Sequence, residues 1–161
     1  MIDLLQFCSQ SQPNLAAPWS RDGVTYATDG AVILRVAIEA GIDDNPLAPD
    51  AAATFDRAPS PNEYAPIPDV NAPTKEPCGR CCGDGYYDCE CCDHERECPD
   101  CGGSGMIAPK TSTLISGARF DDRYLALLGS LPNCQIGITG QYTAARIRFD
   151  GGDGLLMPLK I

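Results

Sequence analysis

The sequence predicts an α+β protein, a single domain of helices and antiparallel strands assembled from both ends of the chain around an interruption. Three observations point there. Residues 1–42 and 110–161 each combine a short amphipathic segment with β-rich runs closed by tight turns. Between them, residues 43–77 carry eight prolines, which blocks both helix and central strand. Eight of the ten cysteines then fall between Cys78 and Cys101, in a segment too poor in carbon to make its own apolar core.

In chain order, Leu4, Leu5, Phe7 and Cys8 predict a helix of about two turns. Val24 to Thr28 and Ala31 to Ile38 follow as strands, with Asp29-Gly30 as a hairpin signal between them. Residues 43–77 read as an extended connector with a short edge strand near Tyr64, and 78–109 as a separate finger. Phe120, Tyr124, Leu127, Leu128 and Leu131 recur at the spacing of one helix face, with Asp121 and Asp122 in the first turn and Pro132 as the stop. Three strands are expected after it, over 134–139, 144–149 and 155–161, with the glycine-rich run 150–154 turning the chain between the last two. The expected domain is therefore 1–42 plus 110–161, helix then strands, twice.

The cysteine segment has an internal repeat. Cys78-Gly79-Arg80-Cys81-Cys82-Gly83-Asp84-Gly85 and Cys98-Pro99-Asp100-Cys101-Gly102-Gly103-Ser104-Gly105 both fit C-x-x-C-x-G-x-G, twenty residues apart. A C-x-x-C turn lets two thiolates chelate one ion, and two such turns complete a tetrahedral Cys₄ zinc site. The glycines permit positive φ just beyond each pair. Cys78, Cys81, Cys98 and Cys101 are thus the predicted zinc ligands. Cys89, Cys91, Cys92 and His94 form a denser middle group that offers a second zinc, with Cys82 as a further donor. The competing readings are structural disulfides or thiol–disulfide exchange, although redox C-x-x-C motifs sit at helix N-termini rather than in glycine-rich turns. Cys8 and Cys134 stand apart and are expected to act as small buried hydrophobes.

Charge narrows the functional classes. The net charge of −10 divides as −2 over residues 1–42, −10 over 43–109 and +2 over 110–161. An acidic middle repels phosphate backbones, so general nucleic-acid binding is disfavoured. Any DNA contact would come from Arg119, Arg123, Arg146, Arg148 and Lys160 near the C-terminus. No run of ~18 apolar residues is available to span a membrane, and the N-terminus lacks a signal-peptide pattern, so a cytoplasmic protein is expected. There is no Gly-x-Ser-x-Gly elbow, no phosphate loop and no histidine outside the cysteine cluster. A non-enzyme is the expectation.

Two resemblances bear on these residues. Cys78 to Gly85 and Cys98 to Gly105 resemble the first and last repeats of the cysteine-rich domain of DnaJ-type co-chaperones, which has four C-x-x-C-x-G-x-G repeats and two zincs. In that family the first and last repeats share one zinc, which implies that Cys78, Cys81, Cys98 and Cys101 do so here. The middle repeats look collapsed into Cys89 to His94, and no J domain accompanies them. Separately, Thr25 to Gly30 with Val32 to Val36, Phe120 to Leu128, and Leu155 to Ile161 resemble, in order, three motifs of the β sliding clamp of bacterial DNA polymerase III. That resemblance implies one clamp-like domain, a helix plus antiparallel strands repeated twice, with the finger inserted. A clamp subunit has three such domains, so a closed ring of this chain would be a homo-oligomer of about six copies. Together they imply a non-enzymatic zinc-binding accessory protein. Its finger would bind a protein partner, in phage or bacterial DNA metabolism. DNA binding by the clamp-like domain, and client binding or thiol exchange by the finger, are the alternatives.

Overall fold

The computed structural model describes residues 2–89, 91–92 and 94–160. The chain divides into two compact units, Met1–Asn71 with Ser112–Ile161, and Ala72–Thr111. Among the described residues, structure is mostly antiparallel sheet with two short α-helices.

In the first unit, Asp3 caps a single 3₁₀ turn at Leu4–Phe7, shorter than the two-turn helix expected, and Leu4 and Phe7 are its buried residues. The strands β1 (Trp19–Arg21), β2 (Val24–Thr28) and β3 (Val32–Ala37) form a meander. The β2–β3 hairpin turns where Asp29-Gly30 predicts. Asp29 Oδ1 accepts from the amides of Ala31 and Val32 at 2.9 and 3.1 Å, while Gly30 takes φ +98°.

Residues 43–71 depart from the extended connector expected of them. Helix α1 (Ala51–Arg57) forms there, and its Phe55 is buried. Its origin is local: Asp50 accepts from the Ala53 amide at 3.1 Å, and the stretch between Pro49 and Pro59 is free of proline and rich in alanine. Strand β4 (Ala65–Pro66) follows, next to Tyr64, as an edge strand paired to a later one.

The second unit contains the short strands β5 (Glu76–Pro77), β6 (Tyr86–Asp88), β7 (Glu95–Glu97) and β8 (Met106–Ile107), paired β5 with β8 and β6 with β7. The chain then returns to the first unit with a hairpin of β9 (Ser112–Ile115) and β10 (Ala118–Asp121). Helix α2 (Asp122–Gly129) starts two residues later than Phe120, which lies in β10 and pairs with Thr113 of β9 instead. Asp121 sets that start by accepting from the Arg123 amide at 2.9 Å. The helix buries Leu125 and Leu128.

Strands β11 (Gln135–Gly137), β12 (Ala145–Phe149) and β13 (Gly152–Leu156) complete a seven-stranded antiparallel sheet, ordered β1-β2-β3-β13-β12-β11-β4. The last strand begins inside the run expected to be a turn and ends at Leu156 rather than reaching the C-terminus; Ile161 lies outside the described residues. The glycines explain the early start. A Cβ on Gly154 would stand 2.7 Å from Leu34 Cδ2, so the strand fits only because that position lacks one. The turn is left to Asp150 and Gly151, the latter at φ +98°.

Period-two alternation puts two faces of this sheet to use. Ala27, Leu34, Val36, Ile147 and Leu156 join Phe7, Phe120, Leu125 and Leu128 in one buried cluster. Tyr26, Ile33 and Leu155 point the other way, into a second cluster with Trp19, Ala51 and Phe55. Arg35 lies on this face too. It pairs with both Asp153 carboxylate oxygens at 2.7–2.8 Å and stacks 4.2 Å from the Phe55 ring centroid. Cys8 and Cys134 are partly buried against the first cluster, as small apolar side chains would be, and burial pushes the Cys134 thiol up to about 11.

Candidate metal centre

The second unit has almost no carbon to hold it together. Its buried cluster is Cys78, Cys81 and Cys98, with Tyr87, Cys101 and Ile107 packed against them. The two knuckles meet through reciprocal backbone bonds. The Cys78 amide donates to the Gly105 carbonyl, and the Cys98 amide to the Gly85 carbonyl, both at 2.8 Å. Each closing glycine also donates its own amide to the second sulfur of its knuckle, Gly85 to Cys81 at 3.2 Å and Gly105 to Cys101 at 3.3 Å. The repeat in sequence is therefore a near-twofold repeat in space.

The glycines are required here. Gly83, Gly85, Gly102, Gly103 and Gly105 all take positive φ, as does Cys82 at +52° in the place matching Gly102. A Cβ on Gly85 would overlap the Gly103 carbonyl oxygen, and one on Gly105 the Gly83 carbonyl oxygen. The knuckles approach each other backbone to backbone, a closeness that only glycine permits.

The four sulfurs of Cys78, Cys81, Cys98 and Cys101 all lie within 4.8 Å of one another. Across the knuckles, Cys78 Sγ is 3.8 Å from Cys98 Sγ, and Cys81 Sγ is 3.7 Å from Cys101 Sγ. These separations fit a metal. A tetrahedron of thiolates at a Zn–S distance of ~2.3 Å has edges of about 3.8 Å, whereas a disulfide needs ~2.05 Å. The amides aimed at Cys81 and Cys101 are the kind of outer-shell donors that orient thiolate ligands. Burial pushes the Cys81 thiol up, but the Gly85 and Gly83 amides and the Cys101 and Cys78 thiols outweigh it and hold the group at about 7. Burial dominates at Cys98 and pushes it up to about 11. Cys81 and Cys98 are thus pushed in opposite directions.

Cys89, Cys91 and Cys92 form a second group, also within 4.8 Å of one another and more exposed. His94, expected beside them as a ligand, lies outside that set. Its Nδ1 is 2.7 Å from the Cys92 carbonyl oxygen. Cys82, the further donor considered, belongs to neither group and is exposed. The contact between Cys89 and Cys91 lowers the Cys89 thiol and raises that of Cys91.

The four arginines among the basic residues singled out as DNA contacts are engaged by their own chain. Arg146 donates to the carbonyls of Phe55 and Ala58 at 2.7 Å and of Pro59 at 3.1 Å, closing the C-terminal end of α1. Arg148 donates to Gln135 Oε1 at 2.6 Å and stacks over Tyr64. Arg123 pairs with Asp121 at 3.0 Å, and Arg119 reaches Ser112 Oγ at 3.4 Å. Sequence reasoning passed over an apolar cleft of about 680 Å³ in the first unit, lined by Leu15, Ile33, Ala51, Leu155, Met157 and Arg57 among others. Its only signal was the proline-free window that forms α1. No helix among the described residues is long and apolar enough to cross a membrane.

Compared with protein-family models, with curated proteins and with solved structures, the chain gives no significant match. What it is rests on its own geometry: an α+β or mainly-β chain with two cysteine groups able to hold metal.

Proposed function

We propose that this chain is a non-enzymatic, zinc-binding accessory protein. In this reading a DnaJ-like finger interrupts a single clamp-like domain and presents a protein-binding surface, in phage or bacterial DNA metabolism. The cross-knuckle sulfur spacing of 3.7–3.8 Å carries it, because that is the edge of a zinc–thiolate tetrahedron. Cys78, Cys81, Cys98 and Cys101 would hold the ion. A four-thiolate site is coordinatively closed and leaves no position for water or substrate, so the metal's part is to hold the fold. Two further observations favour a protein partner. The first unit carries an apolar cleft flanked by exposed Leu47 and Met157. The arginines nearest to a DNA-binding role are spent on internal acceptors.

Elemental analysis with native mass spectrometry tests the metal. One zinc per chain is expected, falling to none in the double variant Cys81→Ser/Cys101→Ser; a metal-free chain with the second unit still folded would overturn the reading. Native mass spectrometry also reports any homo-oligomer, a ring of about six copies being the clamp-like expectation. The DNA alternative requires affinity that falls steeply between about 50 and 200 mM salt. Absence of binding at the lower concentration removes it.

A further inference from the structure

The second thiol group has a geometry of its own. Cys89, Cys91 and Cys92 sit where β6 turns into β7. The Cys92 amide donates to the Cys89 carbonyl at 3.2 Å, and the Cys89 amide to the His94 carbonyl at 3.0 Å. This tight turn brings Cys89 Sγ to 2.9 Å from Cys91 Sγ.

That distance argues against zinc. Two thiolates on one tetrahedral zinc stand about 3.8 Å apart, as the other four cysteines do at 3.7 and 3.8 Å. The Cys89–Cys91 pair is about 1 Å too close, and a disulfide of ~2.05 Å lies about the same step further in. Among the described residues the group also has no fourth donor, since His94 stands outside it. Access is open: Cys91 and Cys92 are exposed and Cys89 is partly so.

We propose that Cys89 and Cys91 are a redox-active dithiol that closes to a reversible disulfide by exchange with an accessible disulfide. This goes beyond the zinc reading and does not depend on it. The Cys89 sulfur, as thiolate, attacks one sulfur of the incoming disulfide. That S–S bond breaks, its other half leaves and takes up a proton, and a mixed disulfide remains on Cys89. The Cys91 sulfur gives up its proton and attacks the Cys89 sulfur, forming the Cys89–Cys91 bond and expelling the second half as a thiol. Two protein thiols are oxidised and one disulfide is reduced to two thiols, so electrons and protons balance. Cys92 takes no bond in either state.

The full chain, purified with its metal, is equilibrated with mixtures of oxidised and reduced glutathione. Reduced thiols are then blocked, the disulfides are opened, and the new thiols receive a second label read by mass spectrometry. The expected result is a reversible, ratio-dependent second label on Cys89 and Cys91 together, with metal content unchanged. Cys89→Ser and Cys91→Ser abolish it; Cys92→Ser and Cys82→Ser leave it. The proposal is overturned by pairing of Cys92 or Cys82 instead, by no oxidation at the most oxidising ratio, or by a second zinc that shields all three thiols. A chain that carries no zinc yet still oxidises at Cys89 and Cys91 would sink the metal reading and leave this one standing.

Discussion

The two units fold by different means. The first surrounds a seven-stranded sheet with carbon, one cluster against α2 and the N-terminal 3₁₀ turn, the other against α1. The second buries little besides sulfur. In the first, stability is spread over many side chains that each contribute ~1.5–3 kcal/mol on burial. In the second, on the proposed zinc reading, it would be concentrated in one ion held by the sulfurs of Cys78, Cys81, Cys98 and Cys101. A concentrated core should fail all at once, and a spread one by degrees.

That contrast is most easily broken by removing the metal. Chelation, or Cys98→Ser, is expected to unfold Ala72–Thr111 while the sheet of the first unit stays protected in hydrogen exchange. Structural zinc supplies ~10–16 kcal/mol in small fingers, far more than this unit's few apolar contacts. Comparable loss of protection in both units would contradict the division. The converse variant is Phe120→Ala, at a fully buried position. It should cost about 3–5 kcal/mol in denaturant unfolding of the first unit and leave zinc content unaltered.

The glycines sharpen the picture within the second unit. Gly85→Ala combines a positive φ with a Cβ pressed on the Gly103 carbonyl. A penalty of about 2–3 kcal/mol is expected, read as weakened zinc affinity in a competition with a chromogenic chelator. Gly79→Ala, at a position with open space, is the control. In the first unit, Arg146→Met leaves the carbonyls of Phe55, Ala58 and Pro59 without their shared cation. A loss of about 2 kcal/mol is expected, with α1 losing exchange protection before the sheet does.

The smallest effect concerns Tyr124, whose hydroxyl donates to Asp29 Oδ2 at 2.5 Å and ties α2 to the β2–β3 hairpin. Burial first, and then the hydrogen bond to Asp29, push its phenol above the ordinary value near 10. The folded state therefore holds this proton more tightly than the unfolded chain. Its stabilisation is fully present below pH ~10 and declines as the pH rises beyond it. Tyr124→Phe should cost about 1 kcal/mol near neutral pH. The gap between wild type and variant should narrow in urea titrations above pH ~10; a gap that widens there would contradict the assignment.

What the sequence made legible was local chemistry. Asp29-Gly30 placed the β2–β3 hairpin, because the turn supplies its own hydrogen bonds. The repeated C-x-x-C-x-G-x-G placed four sulfurs around one point, because each closing glycine has a backbone role that spacing alone announces. The misses lie where a distant partner decides. Phe120 matched the helix period but was captured by Thr113 across a strand pair, and Leu125, off the expected stripe, became a fully buried helix residue. Gly152 and Gly154 read as turn residues, yet β3 and β12 hold them as strand. Proline density hid α1, although Asp50 and three alanines mark its start. Arg146 reads as a candidate DNA contact, and only the folded position of α1 turns that side chain to the carbonyls of Phe55 and Ala58.

The central claim is that four sulfurs converge on one ion. Its most direct test is to count zinc per chain while mapping which cysteines resist alkylation in the native protein. The account predicts one zinc, with Cys78, Cys81, Cys98 and Cys101 protected together and released together by chelator, and Cys82 and Cys92 modified from the outset. Contradiction would be a chain without metal whose Cys78 and Cys98 label freely while the second unit keeps its fold.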